Sequence, residues 1–67
     1  MLDLANIFTY HPPKPGQADT YQMLRDNAHS LAIKIEKNCP ESRERSLAIT
    51  KLEEVIFWAN ASIARNK

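Results

Sequence analysis

The chain has 67 residues, with nine Lys+Arg against eight Asp+Glu and a net charge of +1. Such a length supports one thin domain at most, and chains this small draw stability from disulfides, a metal or association. The lone Cys39 excludes an internal disulfide, and with His11 and His29 it falls short of a four-ligand structural zinc set, so association is left.

Composition removes further classes. No run of about 18 apolar residues is present, so no membrane span is expected. The opening Met1-Leu2-Asp3-Leu4 lacks the basic-then-apolar order of a signal peptide, which points to the cytoplasm. Near-neutral charge offers no basic face for duplex DNA. With Gly16 as its one glycine, the chain has no room for a P-loop or a dinucleotide fold.

Residues 1–16 read as an extended arm. Asn6-Ile7-Phe8-Thr9-Tyr10 is rich in β-branched and aromatic types, yet a lone strand has nothing to pair with. Pro12, Pro13 and Pro15 then remove three donors and hold the residues before them extended. Phe8 is expected to anchor this arm onto the helices, while Tyr10 borders the stiff segment and can present its ring to a nucleobase.

A helix follows over about 18–38, with Asp19 or Thr20 as its cap. Tyr21, Leu24, Ala28, Leu31 and Ile35 recur at three-four spacing, and Ala32 widens the stripe. Pro40 ends it by disfavouring helical geometry at Cys39, a thiol expected to be buried or half-buried. His29 falls on the polar face.

The next helix is expected over about 40–65, with Pro40 in its first turn and Ser42 as an alternative cap. Ile49, Leu52, Ile56, Ala59 and Ile63 form its stripe, and Leu47, Ala48, Val55 and Trp58 broaden it beyond one face. Phe57 and Trp58 read as core or interface. A linker of about three residues packs two helices antiparallel. The predicted fold is therefore all-α, an antiparallel two-helix hairpin over 17–67 carrying a Pro-rich arm over 1–16. One hairpin interface cannot cover so wide an apolar surface, so an oligomer is predicted.

No catalytic arrangement emerges. Glu53 and Glu54 are adjacent and point about 100° apart on a helix, and Cys39 has no base at helical reach. Cations are scattered: Lys14, Arg25, Lys34, Lys37, Arg43, Arg45, Lys51, Arg65 and Lys67. Scattered cations usually form a solvated face, but a symmetric assembly turns one Arg per chain into a ring around an axis, suited to repeated phosphates.

Particular strings carry a resemblance. Tyr10-His11-Pro12-Pro13-Lys14, the block Ser42-Arg43-Glu44-Arg45-Ser46-Leu47-Ala48, and Thr50-Lys51-Leu52-Glu53-Glu54 running into Phe57-Trp58-Ala59-Asn60-Ala61 and Ile63-Ala64-Arg65 look like the anti-CBASS protein 2 family of phages. The resemblance spans about residues 8–65. It implies a helical homohexamer in the cytoplasm of the infected bacterium, a non-enzyme without metal or other cofactor. Such sponges bind cyclic dinucleotides such as cyclic GMP-AMP between paired protomers, and some bind cyclic trinucleotides where three protomers meet, silencing the effector without cleaving the signal. By the same resemblance Tyr10 stacks on a base, Arg25 meets phosphate, Arg65 serves the threefold pocket, and His11 and Lys14 are wall residues. An alternative from another class is a helical adaptor that docks on a host protein through its apolar second helix.

Overall fold

A computed structural model describes residues 2–67, so Met1 lies outside the described residues. Three helices follow in order: α1 (Leu4–Phe8), α2 (Gln17–Asn38) and α3 (Arg43–Asn66). No strand occurs among the described residues. The all-α hairpin is therefore present, formed by α2 packed on α3.

The structure departs from the expected arm at α1. Asp3 caps it, its Oδ1 accepting from the Asn6 amide at 3.1 Å, and the Ile7 amide closes the first turn onto the Asp3 carbonyl at 3.0 Å. Thr9 Oγ1 donates back to the Ala5 carbonyl, and the chain then turns extended at Thr9. A capping Asp followed by Leu-Ala, both strong helix formers, outweighs the β-branched content of Ile7 and Thr9. Residues 10–14 have no regular structure. Phe8 is 83% exposed and does not anchor the arm on this chain.

The start of α2 also differs. Gly16 is its N-cap, with φ of 84°, a left-handed geometry that glycine adopts without a Cβ penalty. Gln17 supplies the local lock: its amide donates to the Lys14 carbonyl at 3.0 Å, and its Oε1 accepts from the Lys14 amide at 2.9 Å. Asp19 sits inside the first turn, near the positive end of the dipole, rather than capping it. Thr20 instead directs Oγ1 to the Gly16 carbonyl at 3.3 Å.

At the other end α2 closes at Asn38, with Cys39 extended before Pro40 as expected. Cys39 itself is exposed, because the turn carries it away from the hairpin face. Pro40 is not in the first turn of α3. Ser42 caps that helix, its Oγ accepting from the Arg45 amide at 3.1 Å and donating to the Pro40 carbonyl at 3.0 Å. Arg45 then reaches back, its guanidinium donating to the Glu36 and Cys39 carbonyls, each at 3.3 Å. These carbonyls belong to the closing turn of α2, where a cation is favoured. Arg45 is thus a clamp for the hairpin turn.

Tyr21, Leu24, Ala28, Ala32 and Ile35 of α2 are half-buried, as are Ile49, Leu52, Ile56, Ala59 and Ile63 of α3. Leu31 lies off the seam and is 47% exposed, since Ala28, Ala32 and Ile35 already face α3. None of the described residues is fully buried. The radius of gyration is 14.8 Å, against about 11 Å for a compact globule of this length. With extents of 42 × 28 × 14 Å the chain is a slab one helix layer thick. Phe57 and Trp58 are 62% and 67% exposed, so neither is core of this chain.

Candidate functional site

Two cavities bordered by charged side chains divide all of the candidate site residues but Tyr10 between them. The first, of about 420 Å³, lies along the α2–α3 groove between Gln22, Arg25, Asp26, Ala28 and His29 on one side and Glu53, Ile56 and Phe57 on the other. Gln22 organises its polar wall: Arg25 Nη2 donates to Gln22 Oε1 at 2.9 Å, and Gln22 Nε2 donates to Asp26 Oδ1 at 2.8 Å. One amide thereby orients a guanidinium and a carboxylate, each about one turn along the helix from it. Arg25 shares this cavity with Asp26 and Glu53, so its local field is not net positive. Such a cavity offers an anion direct guanidinium hydrogen bonds rather than long-range attraction. Below it the groove continues as a smaller, nearly apolar cavity of about 180 Å³ bounded by Ala32, Ile49 and Leu52.

The second charged cavity, of about 490 Å³, lies between α1, the proline segment and the end of α3, and is called the chain-end cavity below. His11, Lys14 and Arg65 all line it, with Asn6, Gln17 and Lys67. No Asp or Glu side chain contributes to its wall. Several bonds assemble it. Asn6 Nδ2 donates to the Arg65 carbonyl at 3.2 Å, and His11 Nε2 lies 2.8 Å from the Asn6 carbonyl. Lys14 Nζ donates to the Lys67 carbonyl, satisfying a C-terminal group of α3. Three prolines, Pro12, Pro13 and Pro15, form a stiff wall on the same side.

Tyr10 lines none of these cavities and is 80% exposed. Most of its surface faces solvent. Arg25 is thus separated from His11, Lys14 and Arg65, which the fold brings together. Sequence reading passed over Gln22, whose place three residues before Arg25 and four before Asp26 is a helical-neighbour signal. Asn6 was passed over too, and only the tertiary contact with Arg65 reveals it.

The family model for the Acb2/Tad1 hairpin domain matches residues 3–64. The chain belongs to that family. This is the anti-CBASS protein 2 family whose motifs the sequence carries. Comparisons with curated proteins and with solved structures return no significant match. The hairpin that defines the family is α2 and α3, and the match also takes in α1. Among the described residues no helix is long and apolar enough to cross a membrane, and no group of three or more His, Cys, Asp or Glu side chains is placed to hold a metal.

Proposed function

We propose that this hairpin protein sequesters cyclic oligonucleotide second messengers, holding them uncleaved, and so keeps CBASS effectors silent in the cytoplasm of a phage-infected bacterium. The observation that carries the reading is the family match over residues 3–64. The molecule's chemistry supports it. A cavity lined by Lys14, Arg65 and His11 and by no Asp or Glu side chain suits a polyanion, and Arg25 shares the groove cavity with Phe57. The assigned roles are stacking by Tyr10, phosphate contact by Arg25 for cyclic dinucleotides such as cyclic GMP-AMP, and Arg65 with His11 and Lys14 for cyclic trinucleotides.

Assembly is part of the proposal. A 67-residue slab without a fully buried residue gains a core only by stacking on copies of itself, and a homohexamer is the state proposed. Pairing copies would also give the solvent-facing Tyr10 ring a second surface, so that base and ring close on each other across a protomer boundary.

Thermal melting with and without cyclic GMP-AMP tests the reading, followed by denaturation and chromatography of the ligand. Binding stabilises by RT ln(1 + [L]/Kd), about 2.7 kcal/mol at a hundredfold excess over Kd. The expected result is a clear rise in Tm with the ligand recovered intact. A panel of cyclic di- and trinucleotides that moved Tm nowhere would end the sponge reading. It would favour an adaptor docking through Val55, Phe57 and Trp58, all exposed on α3. Linear product in proportion to protein would instead make the protein an enzyme.

A further inference from the structure

The chain-end cavity is built from three separate pieces of sequence: α1, the proline segment and the last turn of α3. Its two long-range candidates, His11 and Arg65, do not touch one another through any hydrogen bond. Asn6 touches both. Its side-chain Nδ2 donates to the Arg65 carbonyl at 3.2 Å, and its backbone carbonyl meets His11 Nε2 at 2.8 Å. Asn6, His11 and Arg65 are all half-buried. We propose that Asn6 is the positioning residue of this cavity, holding Arg65 and His11 in one arrangement so that an anionic cyclic oligonucleotide meets both. The inference rests on the function proposed above and adds to it a residue that does not itself contact the ligand.

Each half of the link has its own physical reason. The last carbonyls of a helix lack intrahelical partners, so the final turn frays unless something outside the helix holds it. Asn6 is that holder at Arg65. α1 has five residues, far too few to persist as an isolated helix, so it needs the bond as much as α3 does. On the other side, a carbonyl oxygen only accepts. His11 Nε2 must therefore carry the hydrogen, which leaves Nδ1 as the ring atom free for a ligand. The proton position of His11 is thus set by the backbone of Asn6. An aspartate in its place would set carboxylate oxygen against carbonyl oxygen, so the amide is specifically required.

The test uses the full chain with cyclic tri-AMP as probe, titrated by calorimetry over a range of salt. Asn6→Ala leaves every cation in place and keeps the backbone carbonyl that meets His11, but it releases the Arg65 end of the link, which the ligand must then order itself. Re-ordering that one side chain corresponds to roughly 2- to 13-fold weaker binding. The slope of log affinity against log salt should stay that of the wild type, because no charge is lost, while Arg65→Ala should flatten it. Cyclic GMP-AMP affinity should be unchanged in Asn6→Ala. Wild-type affinity for cyclic tri-AMP in Asn6→Ala, beside a clear loss in Arg65→Ala, overturns the inference and leaves the cavity's function standing. Indifference of Arg65→Ala overturns the function assigned to the cavity, and the inference with it. Nitrogen-15 spectra of the wild type supply a readout independent of any variant's folding. They should show His11 protonated at Nε2, and a bare Nε2 overturns the proposal.

Discussion

Replacing Tyr10 by alanine separates ligand binding from folding more cleanly than any other change in this chain. In the free chain the ring is 80% exposed and lines no cavity, so its loss removes almost no intramolecular packing. Surface substitutions of that kind stay within about 0.5 kcal/mol of wild-type stability. A stacked base, by contrast, is worth roughly 1–3 kcal/mol per aromatic ring. A cyclic dinucleotide has two bases related by an approximate twofold, and a pocket on a twofold axis presents one Tyr10 from each of two chains. Both stacks vanish together in the variant, about 2–6 kcal/mol in all, which is roughly 30-fold to beyond 10⁴-fold in Kd. Calorimetric titration with cyclic GMP-AMP reads the change, and light scattering with ligand-free melting reads the control. The expected result is weakened binding with unchanged mass and Tm. Wild-type affinity with the assembly intact would refute the stacking role, and a ligand-free Tm lowered by several degrees would show that the ring packs on something after all.

Three other changes probe the remaining parts. Arg25→Ala removes one charge-assisted hydrogen bond from each of two chains, so it should weaken cyclic dinucleotide binding by roughly 150-fold or more and flatten its salt dependence in the same titrations. Ser42→Ala removes the acceptor for the Arg45 amide, so it should cost about 0.5–2 kcal/mol by chemical denaturation while leaving ligand affinity unchanged. Ile56→Asp sets a carboxylate beside Ala28 and His29 in the groove, at a cost of about 2 kcal/mol or more. Light scattering should then show smaller species than the wild type, and an unchanged mass would mean that Ile56 is far from any contact between copies.

Local chemistry was legible in the sequence and tertiary chemistry was not. The seam of α3 was readable because Ile49, Leu52, Ile56, Ala59 and Ile63 repeat at the helical period, and all are half-buried. The turn was readable from Pro40, but the choice between Pro40 and Ser42 as starting residue depended on which side chain could reach a free amide. Ser42 could, and α3 begins after it. The helix α1 was hidden by weighting Ile7 and Thr9 above the capping Asp3. Leu31, Phe8 and Cys39 fail differently. Apolar character says that a residue gains by burial, not that its own chain supplies the cover. The cavity of His11, Lys14 and Arg65 lay beyond reach for a similar reason, since Asn6 and Arg65 are 59 residues apart and no local pattern joins them.

The division into two cavities has an electrostatic consequence. Gln17 lines the chain-end cavity and Arg25 the groove cavity, and no residue lines both. Eight residues of α2 separate them, which is about 12 Å along the helix axis. The screening length at physiological ionic strength is about 8 Å, so an anion held in one cavity is largely hidden from the other. Their fields differ as well. Asp26 and Glu53 offset Arg25 within the groove, whereas no Asp or Glu side chain lines the cavity of Lys14, Arg65 and Lys67. Charge attraction therefore acts mainly at the chain ends, and shape, stacking and direct hydrogen bonds mainly in the groove. A saturating cyclic dinucleotide should accordingly leave cyclic tri-AMP affinity within about twofold, and rising salt should weaken the trinucleotide more steeply. Competition between the two ligands in a displacement titration would mean that a single site serves both.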